Sequence, residues 1–300
     1  MKSAEGFVPF KGYRTWYRVV GDGEEPGKLP VIYLHGGPGG THDYLESLEA
    51  MAETGRRAIF YDQIGCGKSD LPDDLSLYTP ETFVEEVGAV RDHLGLDRVH
   101  VFGSSWGGML AMEYALTQPA GLVSLIIASS PSSMKQWVEE ANRLRSELPE
   151  DVQETLTRHE EAGTTTDPEY EAAAEVFYKR HVCRLEEWPD YVLRSFQFLA
   201  EHGVVYNHMN GPSEFHVVGT LKGWDITGRL GEIRVPTLVV TGEFDEATPA
   251  INRTVSSSIP GAESVIYPRA SHMAHVEDPE GYMRLLDEFL TRVEGQQGNP

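Results

Sequence analysis

Short apolar runs rich in β-branched residues alternate with stretches of helical spacing along the first half of the chain. The runs at 30–36 (PVIYLHG), 57–63 (RAIFYDQ), 98–104 (RVHVFGS) and 122–130 (LVSLIIASS) have the length and continuity of strands buried on both faces. Between the second and third, TPETFVEEVGAVRDHLG carries Phe83, Val87, Val90 and Leu94 at steps of four, three and four. That spacing is one face of a helix, opened at Thr79 or Pro80 and stopped at Gly95. The first twenty residues, MKSAEGFVPFKGYRTWYRVV, alternate apolar and polar positions as a strand does.

The rhythm changes near Ser132. From there to about Trp224 the chain reads as helical, with Glu/Arg-rich faces, aromatic stripes and no convincing central strand. Strand patterning resumes at 235–245 (VPTLVVTGEFD) and 262–268 (AESVIYP), and PEGYMRLLDEFLTRVEG closes with an amphipathic helix. The whole predicts an α/β fold with a mostly parallel sheet flanked by helices. We expect a core at 1–132, a helical cap at 133–225 and the rest of the core at 226–300.

Composition narrows the function. With 300 residues, 40% of them hydrophobic and 24% charged, the chain can bury a sizeable core. Forty-seven acidic against 25 basic residues give a formal net charge of -22, a field that repels nucleic acid and anionic membrane. Two cysteines, Cys66 and Cys183, make neither a disulfide framework nor a zinc motif. The N-terminus lacks the apolar segment of a secretory signal, and a cytoplasmic location is expected.

The chemistry concentrates in GSSWGG. Only Ser105 fits Gly-x-Ser-x-Gly, flanked by Gly103 and Gly107, after a predicted strand and before a helical run. Such a turn holds a serine hydroxyl out over the sheet edge beside a helix N-terminus. An acyl-transfer serine needs a base and a group to orient it, in the chain order serine, acid, histidine. Asp245, at the end of its strand run, is preferred as the acid over its neighbours Glu243 and Glu246, and His272 as the base over His275. HMAH makes a poor metal site because no third ligand lies near it, and no metal or other cofactor is expected. HGGPGG (35–40) and the residue after the serine suggest an oxyanion hole built from the Gly37 and Trp106 backbone N–H groups. DQIGCGKS (62–69) approaches a phosphate-binding loop, but Asp62 stands where the first glycine is required, so it reads as a structural turn.

Taken together, HGGPGG, YDQIGCGKSD, GSSWGG, MNGPSEF, GEFDEATP and SHMAHVEDPE resemble, in order and spacing, the α/β-hydrolase-fold prolyl aminopeptidases (proline iminopeptidases) and the related L-amino acid amidases. The resemblance covers nearly the whole chain. It implies Ser105, Asp245 and His272 as nucleophile, acid and base, and Glu214 and Glu246 as the anchor for a substrate's free α-ammonium group. It further implies a small peptide or amino acid amide substrate with a free N-terminus. Tyr206, Phe215 and Trp224 are candidates for the side-chain pocket, with packing inside the cap as their competing role. An esterase or lactonase indifferent to the amine, and a non-catalytic receptor on the same fold, are the rival classes.

Overall fold

In a computed structural model, which describes residues 2–297, the strand runs form one eight-stranded sheet in the order β1-β2-β4-β3-β5-β6-β7-β8. The strands are β1 (Ser3–Phe10), β2 (Tyr13–Val20), β3 (Val31–Leu34), β4 (Ala58–Tyr61), β5 (Val99–Ser104), β6 (Leu122–Ala128), β7 (Thr237–Gly242) and β8 (Glu263–Tyr267). From β4 to β8 all neighbours are parallel; β1–β2 and β2–β4 are antiparallel. The expected α/β class and parallel sheet are borne out.

The N-terminal segment is a hairpin rather than one strand. Lys11 and Gly12 both take positive φ, 47° and 86°, the sense of a two-residue turn matched to strand twist. Lysine is not a residue that advertises this backbone, so the alternation on either side read as continuous. The strand before Asp245 also stops earlier than its apolar run, at Gly242.

Alternate residues of the central strands enter different cores, as a two-residue period dictates. Ile32, Leu34, Val101, Leu125, Ile127 and Val239 pack with helix α1 (Pro80–His93), α2 (Trp106–Leu116) and α8 (Pro249–Ser258) on one face. Val31, Tyr33, Phe102, Ile126 and Val240 face a 3₁₀ segment, His42–Thr54, the short α9 (Ala274–Glu277) and α10 (Pro279–Gln297) on the other. The predicted α1 starts where Thr79 Oγ1 accepts the Thr82 N–H at 3.3 Å. Between β6 and β7 lie α3 (Met134–Arg145), α4 (Glu150–Ala162), α5 (Pro168–His181), α6 (Asp190–Glu201) and α7 (Val204–Met209). Leu144, Leu156, Phe177 and Phe215 form a separate apolar cluster within that insertion.

Arg56 fastens α10 to the sheet. Its fully buried guanidinium donates to Glu294 Oε1 and Oε2 at 3.0 and 2.7 Å and to Asp287 Oδ1 at 2.6 Å. Burial alone would raise the Glu294 pKa, but hydrogen bonds from His100 and Arg56 outweigh it and bring it from 4.5 to about 2. A carboxylate depressed in this way stabilises the fold above its ordinary pKa, and that contribution is lost as pH falls from about 4.5 toward 2. Arg56→Met strands Glu294 in the interior and should cost about 3–5 kcal/mol in urea unfolding at pH 7. The variant should also lose much of the wild-type's stability gain between pH 3 and pH 5; an unchanged midpoint at pH 7 contradicts this account.

Candidate active site

The turn between β5 and α2 puts Ser105 at φ 58°, ψ -125°, a conformation that costs a non-glycine residue about 1–3 kcal/mol. Four hydrogen bonds hold it. Ser105 N donates to Ala128 O at 2.9 Å, and Ser105 O accepts from Gly108 N, Met109 N and Ser130 Oγ at 2.8, 3.2 and 2.7 Å. A Cβ at Gly103 would run into the Gly107 carbonyl, and one at Gly107 into the Leu34 carbonyl. The two glycines of the motif are therefore demanded by contact.

Asp245 and His272 follow β7 and β8, at the same carboxyl edge of the sheet. His272 Nδ1 lies 2.8 Å from Asp245 Oδ1. Asp245 is itself buried and accepts from Ala247 N at 2.7 Å and from Gly242 N and Thr241 Oγ1 at 3.2 Å. The competing residues go elsewhere: Glu243 accepts the Arg269 N–H at 2.9 Å, and His275 Nε2 donates to the Tyr44 carbonyl at 3.1 Å. Burial lowers the His275 pKa to about 4, leaving that ring neutral. Ser105 and His272 line one cavity of ≈ 410 Å³. The Ser105 hydroxyl makes no hydrogen bond among the described residues.

Gly37 and Trp106 sit beside Ser105 in a narrow slot, and neither backbone N–H donates a hydrogen bond among the described residues. Trp106 opens α2, where the first N–H groups lack intrahelical acceptors. Both are free to meet an oxyanion.

Glu214 and Glu246 meet on the cavity wall, one from the insertion and one from the turn after β7. Tyr206 donates its hydroxyl to Glu214 Oε1 at 2.6 Å, while Glu246 Oε2 is buried with no hydrogen-bond partner among the described residues. Burial, then repulsion from Glu214 and Asp245, pushes the Glu246 pKa far up. Burial also raises that of Glu214, with Tyr206 and His272 opposing it. An incoming cation would relieve both.

Of the three aromatic candidates, Tyr206 lines the cavity, whereas Phe215 packs on Phe177 and Trp224 donates its indole N–H to Glu113. Tyr44 and Tyr178 line it without having been foreseen. They lie in helical segments whose spacing suits a buried face, and nothing local marks one side of such a residue as open. DQIGCGKS is a turn as expected: the Asp62 carboxylate accepts from His42 N and Lys68 N, each at 2.8 Å.

Residues 30–279 match the family model for the alpha/beta hydrolase fold, and the sheet and the serine turn are those of a hydrolase of that class. More narrowly, the chain belongs to the proline iminopeptidase family. It is 43% identical to a proline iminopeptidase of Heyndrickxia coagulans, over 96% of this chain and 99% of the relative. With that of Thermoplasma volcanium it shares 41%, over 96% and 97%. The crystal structure of proline iminopeptidase from Mycobacterium smegmatis superposes with a TM-score of 0.92 at 45% identity, covering 98% of this chain and 100% of that one.

Used as a base, His272 must be neutral. Burial lowers its pKa, but the charge and hydrogen bond of Asp245 outweigh this and raise it above 6.5. Activity should therefore fall as pH drops through a value above 6.5, and Asp245→Asn should move that limb to lower pH while cutting kcat by about 10⁴-fold. The kcat/KM profile of both forms checks this; a limb unmoved by the substitution would contradict it.

Proposed function

We propose that the protein is a serine exopeptidase that releases the N-terminal residue, preferably proline, from peptides through an acyl-enzyme. Ser105 attacks the carbonyl of the first residue while His272 takes its proton and Asp245 holds the imidazolium. Gly37 and Trp106 N–H groups receive the oxyanion. His272 then protonates the leaving amine, and water, activated by the same imidazole, hydrolyses the ester. Side chains and water account for every proton in this sequence.

The observation that carries the exopeptidase reading is the unpartnered, buried Oε2 of Glu246 beside Glu214, on the cavity that holds Ser105. Desolvated carboxylates without a cation are costly, and only the first residue of a peptide brings an ammonium group there. With the amine held by that pair and the leaving group near His272 on the large cavity, the substrate side chain is directed to the slot between Met109, Met134, Trp137 and Leu221. The lining of that slot is apolar and tight, which suits a compact apolar residue such as proline. The larger cavity continues past Phe196 and Leu199 of α6 to Thr165 and Thr166, room that suits a peptide better than a simple amide. The helical insertion, 133–225, would act as the cap over this site.

That the similar proteins are proline iminopeptidases supports the same substrate class. No helix among the described residues is long and apolar enough to cross a membrane. Cys66 and Cys183 are both free thiols, as suits a reducing compartment, and we place the enzyme in the cytoplasm.

A prolyl arylamide compared with its N-acetylated form tests the proposal. The free amine should be preferred by at least 10²-fold, and Glu246→Gln should remove most of that preference, each charge-assisted hydrogen bond being worth about 1.5–3 kcal/mol. Equal turnover of the two substrates by the wild-type enzyme would leave an amine-indifferent esterase instead.

A further inference from the structure

The DQIGCGKS turn does more than reverse the chain. We propose that Gln63 is a positioning residue that fixes the two halves of the oxyanion hole relative to each other. The inference rests on the acyl-transfer reading of Ser105 but not on the substrate's amine.

Three neighbouring strands end side by side here, in the order β4, β3, β5. Gln63 follows β4, His35 follows β3, and Trp106 follows β5 and Ser105. The Gln63 side chain crosses the end of the middle strand. Its Oε1 accepts the Trp106 indole N–H at 2.8 Å, and its Nε2 donates to the His35 carbonyl at 2.9 Å. Its backbone N–H donates to His35 Nε2 at 3.0 Å. The amide orientation is forced: indole nitrogen only donates and a carbonyl only accepts.

The chain of constraint reaches the Gly37 donor through one peptide plane. Because His35 Nε2 accepts from Gln63, its proton sits on Nδ1, which donates to the Gly36 carbonyl at 2.9 Å. Burial lowers the His35 pKa and keeps that neutral tautomer. Gly40 N donates to the same carbonyl at 3.2 Å. The Gly36 carbonyl and the Gly37 N–H belong to one planar trans unit, so holding the oxygen aims the N–H the opposite way. On the other side, the indole bond fixes the Trp106 ring, and with it the residue whose backbone N–H is the second donor. His35, Gln63 and Trp106 are all essentially excluded from water, where such bonds resist competition.

Gln63→Met keeps length and bulk and removes both side-chain hydrogen bonds; Trp106→Phe removes only the indole donor and keeps the backbone N–H. Each should lower kcat on a prolyl arylamide by ten- to a hundredfold with KM within about twofold. Affinity for a prolyl boronate, whose adduct places an oxygen in the hole, should fall in parallel, while inhibition by free proline stays within twofold. The double variant should be no worse than the weaker single by more than about threefold, since both remove one shared bond. If Gln63→Met does not fold, Trp106→Phe alone carries the test. Should kcat and boronate affinity hold within twofold while only Tm drops, Gln63 is structural and the proposal is overturned. A matching loss of proline binding overturns it as well, because the whole site would then have moved. Repeating the comparison on p-nitrophenyl acetate separates this idea from the exopeptidase reading: a defect there supports Gln63 even if free and N-acetylated prolyl substrates turn over alike, and its absence counts against Gln63.

Discussion

The site depends first on a backbone that would relax if it were free to. Ser105 is held at a positive φ by the strand to its left, the helix to its right and a hydroxyl from Ser130 behind it. Each holder is paid for by ordinary sheet and helix packing, so the local strain is small beside the cooperative structure enforcing it. The crowding that makes the turn also excludes side chains at Gly103 and Gly107 and brings Gly36 against the Ser105 Cβ. The serine is presented because the positions around it have no room for side chains of their own.

This explains why so much of the site was legible in the sequence. Glycines at 103 and 107 answer contacts with the Gly107 and Leu34 carbonyls, a demand that leaves its mark in residue identity. The central parallel strands could be read because burial on both faces makes them short, nearly continuous apolar runs, with only a few polar residues such as His100 and Ser124 among them. What stayed hidden had no such mark. Lys11 turns the first hairpin although the pattern on both sides suits a straight strand. Gln63 is one polar residue among several in a turn, and its partners at 35 and 106 are joined to it only by sheet order. Asp245 and Glu243 both follow the apolar run of β7, and only coordinates separate the carboxylate that meets an imidazole from the one that caps a loop.

Neighbouring carboxylates show how environment divides labour. Asp245 accepts three hydrogen bonds besides the one from His272, so its charge is supported in a buried place. Glu246, one residue later, has an oxygen with none among the described residues and shares a cavity wall with Glu214, whose charge opposes its own. The first is suited to orient the imidazole. The second is suited to wait for a charge from outside.

That adjacency also couples recognition to chemistry. Under the proposed mechanism the groups that make and break bonds stand on loops of the sheet, whereas Glu214 and its partner Tyr206 come from the helical insertion. The two sets meet at residues 245 and 246. A substrate cation drawn between Glu214 and Glu246 therefore lies against the same short turn that orients the imidazole, with His272 Nδ1 only 3.6 Å from Glu246 Oε1. A substrate without the amine lacks that anchor beside the imidazole, so discrimination would be felt in the chemical step as well as in binding, and the insertion can change its pocket walls without touching the loops that carry the reaction.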